Sequence, residues 1–186
     1  LKERDDMLML SDHGMERLRI EVNLNAILAK EGYLKLREGR RGYNAIEVGT
    51  MAFAMEPSRV YLNVEGRYPR GSVKPSEAEA VLKELVELFR DLRHEGKPVI
   101  KHIWRREEIY HGPYLAEAPE LVLIPSEEFA LNARLPAREA FRLSDLTGKH
   151  NDNAFLYVKG KENEYLVPAE PSVEDVIDVM KALKTR

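Results

Sequence analysis

The sequence predicts an α/β protein, because short strand-like runs bounded by turn formers are interspersed with amphipathic segments of helical periodicity. The first run, Met7 to Leu10, is continuously apolar and stops at a polar motif, so we expect a buried strand that ends in a functional loop. Runs rich in β-branched and aromatic residues predict further strands at 50–55, 60–64, 99–104, 121–124 and 154–158.

Three segments have the pattern of helices. The clearest is Ser76–Arg93, where Ser76 and Glu79 have the spacing of a capping box and the apolar residues form one stripe. A second helix is predicted from Ser172 onwards, because acidic residues lie near its start and basic residues near its end. A shorter helix is predicted over 20–30, with Gly32 as its C-cap.

The composition limits the classes of function. The chain has 186 residues, of which 44% are apolar, enough for a sizeable core. A net charge of -3, from 29 basic and 32 acidic residues, gives no broad cationic field, so nucleic acid is not expected as an obligate partner. The sequence contains no cysteine, which leaves His and carboxylates as metal ligands. No membrane span or signal peptide is recognisable, and we expect a cytoplasmic protein.

The motif Ser11-Asp12-His13-Gly14-Met15 carries the first candidate metal ligands. Adjacent side chains on a strand point to opposite faces, so Asp12 and His13 can share a metal only where the strand bends into a loop. Gly14 supplies such a bend. A carboxylate with an imidazole suits zinc, and also manganese or iron.

The second candidate is His150, in the polar loop Thr147-Gly148-Lys149-His150 that precedes the predicted strand at 154–158. A histidine in a polar loop is usually just solvated. His150 is a candidate ligand because the same sequence also contains the Ser11–Met15 motif.

Other notable residues are expected to be structural or solvated. The pair Glu107 and His111 has a ligand-like spacing, but we interpret it as surface or ion-pair residues. His94 and His102 have no ligand-like neighbour in the sequence and are expected to be structural.

Phosphate recognition is an alternative to solvation for Arg67, Arg105 and Arg106. Base stacking is an alternative to packing for Trp104 and Tyr110.

At its two motifs the sequence resembles the type I phosphodiesterase/nucleotide pyrophosphatase branch of the alkaline phosphatase superfamily, and within it the archaeal and bacterial predicted phosphodiesterases. In that family a strand runs into Ser-Asp-His-Gly-Met, and a later Gly-x-His introduces a strand near the carboxyl end. The resemblance implies that Asp12 and His13 bind the metal that also receives the nucleophile, and that His150 binds its partner metal. It also implies an alkaline-phosphatase-like fold, here the carboxyl-terminal part of a mixed sheet flanked by helices, with an inserted α+β region.

The resemblance further implies two divalent metal ions in the intact parent, the longer enzyme of which this sequence is expected to be the carboxyl-terminal portion. Zinc is favoured, and manganese and iron are alternatives. The parent is expected to hydrolyse a phosphodiester or pyrophosphate bond of a phosphate-ester or nucleotide-like small molecule. Other superfamily chemistries, such as sulfatase or phosphoglycerate-mutase-like activity, stay open, as does a non-catalytic α/β binding module.

The sequence departs from the family pattern in the region before the Ser11–Met15 motif. Family members place a metal-binding Asp and a Thr or Ser nucleophile early, followed by an Asp-x-x-x-His pair, and no His in this sequence has an Asp four positions before it. We therefore expect the carboxyl-terminal portion of a longer enzyme, with the amino-terminal half as its partner. No residue is assigned as catalytic, and the segment alone is expected to be inactive.

The domain organisation expected from these motifs has three parts. Residues 1–32 form the metal-motif strand and helix of the core, and 147–186 form a core strand and the terminal helix. Residues 33–146, including the helix at 76–93, form an inserted or substrate-access region.

Overall fold

The computed structural model describes residues 7–136, 138–159 and 166–184. These residues pack as two units. Unit 1 contains the described residues up to Glu16 and those from Gly148 onwards, and unit 2 contains Arg17–Thr147. Strands and helices are mixed in the chain, which confirms the predicted α/β class.

The described residues of unit 1 include a two-stranded sheet and helix α4 (Asp175–Lys184). Strand β1 (Leu8–Leu10) pairs antiparallel with β12 (Leu156–Val158), so Leu8 lies opposite Val158. Helix α4 (Asp175–Lys184) buries Val179 and Leu183 in an apolar cluster with Val158. The acidic first turn and basic last turn of α4 match its helix dipole, as the charge pattern predicts.

The longest strand, β2 (Gly14–Asn23), begins in unit 1 and continues into unit 2. It pairs with β11 (Gly148–Asn151), and along unit 2 it runs parallel to β9 (Glu128–Asn132) and antiparallel to β10 (Phe141–Leu143). The predicted mixed sheet is therefore present. Helix α1 (Leu24–Lys30) follows β2 directly.

The second sheet of unit 2 is antiparallel throughout. Its strand order is β3-β4-β8-β7, formed by Ala52–Glu56, Arg59–Leu62, Leu121–Pro125 and Ile100–Arg105. Helix α2 (Ala78–Arg90) packs against β7 and buries Leu85 and Phe89 completely. Removing those side chains from water stabilises the unit by roughly 2 kcal/mol each, by apolar area.

Short elements complete unit 2. Strands β5 (Arg93–His94) and β6 (Lys97–Pro98) form a hairpin whose two turn residues both have positive φ, 49° at Glu95 and 77° at Gly96. This combination is typical of a type I′ turn. The remaining elements are helix α3 and two 3₁₀ helices, at Arg106–Ile109, Gly42–Ala45 and Leu115–Glu117.

The helix predicted over 20–30 is wrong in its first part, because β2 extends to Asn23. Leu18, Ile20 and Val22 are buried and alternate with charged residues, which is the period of a strand. Asn23 then caps α1 by accepting a hydrogen bond from the backbone of Asn25, and Gly32 adopts a φ of 84° after the helix, as predicted.

The predicted capping box of Ser76 and Glu79 does not form. Helix α2 begins at Ala78 after Glu77, which makes no side-chain cap. Glu79 instead pairs with Arg105 at 2.8 Å. The guanidinium of Arg105 offers the carboxylate two charge-assisted hydrogen bonds, a stronger interaction than one backbone N–H.

The first strand is present but is not buried as predicted. Met9 and Leu10 are 49% and 42% exposed, because β1 belongs to a sheet of only two strands. Among the described residues, no helix is long and apolar enough to cross a membrane.

Candidate metal centre

Asp12 and His13 lie in the short connection between β1 and β2, where the chain bends as predicted. The Nδ1 atom of His13 is 3.0 Å from the carbonyl oxygen of Gly14. Since a carbonyl only accepts, the ring bonds it through an Nδ1–H donor, and the lone pair of this neutral tautomer is on Nε2. A backbone carbonyl that orients an imidazole in this way is the usual support of a metal-ligating histidine.

His150 lies on β11 and not in the polar loop that the sequence predicts. Its ring stacks on that of His13, with ring centroids 3.6 Å apart and planes inclined by 18°. Two histidines that are far apart in the sequence, and that were both candidate ligands, are therefore in direct contact within unit 1.

Gly14 permits this contact because it leaves room for the opposite strand. A Cβ at Gly14 would lie 2.2 Å from the side-chain oxygen of Asn151 and 2.2 Å from the carbonyl oxygen of Asn153. No residue with a side chain fits without movement of the backbone at Asn153. Gly14 is thus required for the close packing of β2 against the segment at Asn151 and Asn153. The bend in the chain lies just before it, at Asp12.

Two further interactions hold the motifs together. The backbone N–H of Ser11 donates to the carbonyl of Phe155 at 3.0 Å, and the N–H of Phe155 donates to the hydroxyl of Ser11 at 3.0 Å. Lys149 pairs with Glu16 at 2.7 Å, with side chains only 15% and 23% exposed. The serine of the motif is therefore a structural residue, and the Lys149–Glu16 pair is a contact that no sequence signal indicated.

The donor atoms of Asp12 and His13 are spaced for one ion. The distance between Asp12 Oδ1 and His13 Nε2 is 3.6 Å. Two ligands of a tetrahedral zinc ion, each bonded at about 2.0–2.1 Å, are about 3.3 Å apart, so a small adjustment of the exposed Asp12 side chain brings the two atoms to that spacing.

The stacked rings cannot share one ion. A metal lies in the plane of the imidazole that binds it, at about 2.0–2.1 Å from the nitrogen, and planes that are stacked and nearly parallel do not meet at such short range. The separation of 3.6 Å between the ring centroids is that of two rings in face-to-face contact. In the described parts of the chain, no group of three or more His, Asp or Glu residues is placed to hold one metal ion.

The other candidate histidines have structural contacts. His94 stacks on Phe141, and His102 packs on Trp104, with ring centroids 4.4 Å and 4.0 Å apart. Glu107 accepts a hydrogen bond from Arg106 at 3.0 Å, as expected for an ion-pair residue.

The three candidate arginines are engaged in ion pairs. Arg67 and Arg106 both bind the buried carboxylate of Glu120. The hydrogen bond from Arg105 lowers the pKa of Glu79, which keeps that pair charged at neutral pH. These guanidinium groups hold unit 2 together, and all three line one open cavity of about 650 Å³. Four glutamates line the same cavity, so the arginines face carboxylates there.

The fold is mixed α/β, and the candidate residues Asp12, His13 and His150 lie in unit 1. The profile of the family described as "Type I phosphodiesterase / nucleotide pyrophosphatase" matches residues 1–151, a span that includes Asp12, His13 and His150. The chain belongs to this family, which confirms the resemblance and a phosphoric ester hydrolase type. The family is generally metal-dependent. Among curated proteins and among solved structures, no match was found.

The close approach at Gly14 generates a prediction. Gly14→Ala is expected to destabilise unit 1 by about 1–3 kcal/mol, because the added methyl group overlaps the backbone of Asn153. The NMR resonances of the His13 and His150 rings, which are shifted by their mutual stacking, should move towards ordinary values. Gly148→Ala is the matched control, since its Cβ would meet the flexible end of Met15 at 3.2 Å. Equal effects of the two substitutions would contradict the packing role of Gly14.

Proposed function

We propose that this protein is a metal-dependent phosphoric ester hydrolase that cleaves a phosphodiester or nucleotide pyrophosphate bond, and that Asp12, His13 and His150 contribute ligands to two divalent ions. Family membership supports the class of reaction. The contact between His13 and His150 carries the assignment of the ligands, because it joins the two motifs that the sequence separates by more than a hundred residues.

The ligands divide between the ions according to the ring geometry. Asp12 and His13 have donor atoms 3.6 Å apart and hold the first ion. His150 is stacked parallel to His13 and holds the second. Zinc fits an Asp and His ligand set without thiolates, and manganese and iron accept the same donors.

When bound, two such ions neutralise the charge that develops at phosphorus and orient the entering and leaving oxygens of an in-line displacement. The residues of this chain keep the donors in place. The Gly14 carbonyl holds the His13 ring with its Nε2 lone pair available, and the Ser11–Phe155 hydrogen bonds fix the position of Asp12 in the chain. The resemblance implies further ligands and a Thr or Ser nucleophile, and we assign none of these roles to a residue of this sequence.

The assignment predicts where zinc binds. In calorimetric titrations of the chain, zinc uptake is expected to fall for Asp12→Ala and for His150→Ala, each variant losing one of two weak sites. The sites are weak because one ion receives two ligands from these residues and the other receives one.

Matched controls remove the same side-chain chemistry elsewhere. His111→Ala and Asp91→Ala replace an exposed imidazole and an exposed carboxylate outside the candidate centre, and they should leave zinc uptake unchanged. Equal uptake by Asp12→Ala, His150→Ala and the unaltered chain would rule out this metal site.

The hydrolytic activity is tested in the intact parent enzyme that contains Asp12, His13 and His150. Metal-dependent hydrolysis of bis-p-nitrophenyl phosphate should fall at least about a hundredfold in His150→Ala, because loss of one ion removes charge neutralisation worth several kcal/mol in the transition state. His111→Ala should retain the full rate. A His150→Ala protein with an unaltered rate and metal dependence would contradict the proposed role of this residue.

A further inference from the structure

The antiparallel sheet of unit 2 has two edge strands, β3 and β7, which differ in how their outer edges are covered. The edge of β3 is closed by the completely buried side chain of Asn25. Its amide nitrogen donates to the carbonyl of Ala54 at 2.9 Å, and its amide oxygen accepts from the N–H of Ala54 at 2.8 Å. The N–H groups of Met51 and Ala52 donate to the carbonyl of Tyr33. Other parts of unit 2 therefore take the place of a further strand beside β3.

The outer edge of β7 is open at its centre. Ile103 lies opposite Leu123, whose N–H donates to the carbonyl of Ser58 on the side away from β7. Because the two residues of an antiparallel pair either bond to each other or both face outwards, the N–H and C=O of Ile103 point away from β8. No described residue outside the sheet forms a hydrogen bond with the backbone of Ile103. Two residues further along, the N–H of Arg105 is capped by the side chain of Glu108 at 2.6 Å.

A groove of about 360 Å³ lies between this edge and helix α2. Its lining includes the half-buried side chains of Val86 and Ile103 and the exposed cations Arg90 and Lys101. Among the described residues, neither Arg90 nor Lys101 has an ion-pair partner. The lining contains one carboxylate, that of Glu108. The groove therefore has an excess of positive charge beside unused backbone donors and acceptors.

The two faces of β7 present different chemistry. Arg105 pairs with Glu79 of α2 at 2.8 Å, so the face that carries Ile103 and Arg105 is turned towards the helix and the groove. His102 and Trp104 lie on the opposite face, with ring centroids 4.0 Å apart, and Trp104 is 37% exposed. A strand placed beside β7 would direct alternate side chains to the basic groove and to this aromatic face.

We propose that β7 is a docking edge for an extended acidic segment of a partner protein, which adds to the four-stranded sheet as a fifth strand. The backbone of that segment bonds to Ile103. Its acidic side chains face Arg90 and Lys101, and its alternate, apolar side chains pack on Trp104. In this mode of recognition main-chain hydrogen bonds supply affinity and side-chain contacts supply specificity. The inference is independent of the proposed metal centre.

Charge disfavours a second copy of the chain as the occupant of this edge. If two β7 strands paired antiparallel about Ile103, Lys101 would lie opposite the other copy's Arg105. Like charges directly opposite each other destabilise a sheet, and lysine on an edge strand is a common protection against self-association. An acidic segment at the same edge replaces this repulsion with attraction.

Binding of a capped hexapeptide that alternates glutamate and valine tests the proposal. Trp104 is the single tryptophan of the chain, so its fluorescence reports binding. Saturable binding is expected below about 1 mM, and Lys101→Glu should weaken it about tenfold because the reversed charge repels the peptide. Lys74→Glu changes an exposed lysine outside the groove and is the matched control. In NMR hydrogen exchange, the peptide should slow exchange of the Ile103 amide proton.

Two N-methylated peptides separate strand addition from simple charge attraction. One is methylated at the glutamate nitrogens and the other at the valine nitrogens, and both keep the same charge. Because alternate N–H groups of a strand point to opposite neighbours, one peptide should lose binding and the other should retain it.

Four results would overturn the proposal. They are no saturable binding below about 1 mM, equal affinities of the two methylated peptides, equal affinities of Lys101→Glu and Lys74→Glu, or an unliganded chain that sedimentation shows to be a dimer dissociated by Lys101→Glu. Circular dichroism of both variants checks that they remain folded. The peptide contains neither metal nor phosphate, so these results are distinct from those of the zinc titrations.

Discussion

The pairing of β2 with β11 is the constraint on which the candidate centre depends. It joins the beginning of β2 to a segment more than a hundred residues later in the sequence, and it succeeds only because position 14 has no side chain. Closing so long a loop costs conformational entropy, which the Ser11–Phe155 hydrogen bonds and the half-buried Lys149–Glu16 pair help to offset. The stacking of His13 on His150 follows from this pairing.

That stacking is also the reason for proposing two ions and not one. A site with three convergent donors would hold one ion tightly, whereas parallel rings direct their lone pairs along different planes. The divided geometry is suited to phosphoryl chemistry, where charge must be neutralised on both sides of phosphorus. In unit 2, by contrast, the candidate arginines line an open cavity but are paired with carboxylates such as Glu120.

His13 and His150, which the sequence singled out, lie in contact, and the role of Asp12, His13 and His150 as metal ligands stays a prediction. The sequence was sufficient to predict the strands with clear turn boundaries and helix α2. It was insufficient where two patterns overlap. Leu18, Ile20 and Val22 alternate with charged residues and so indicate a strand, whereas the apolar residues that continue to Leu28 favour a helix. The boundary between the two elements lies at Asn23, which is the N-cap of α1. The sequence did not indicate this cap, because it depends on buried contacts in the tertiary structure. Strand β11 has no apolar alternation, so the sequence did not predict it. It is a strand because it pairs with β2 in the tertiary structure. The division expected at 32/33 and 146/147 stays a prediction about domain organisation, while the packing units meet at 16/17 and 147/148.

The central proposal is that two separate ions bind at the His13–His150 stack, one in the plane of each ring. Anomalous diffraction at the zinc edge, from zinc-soaked crystals of the protein that carries these residues, tests it directly. The account predicts two peaks, one within bonding distance of Asp12 and His13 and the other within bonding distance of His150. A single ion bonded to both imidazoles, or zinc bound only at other residues, would contradict it.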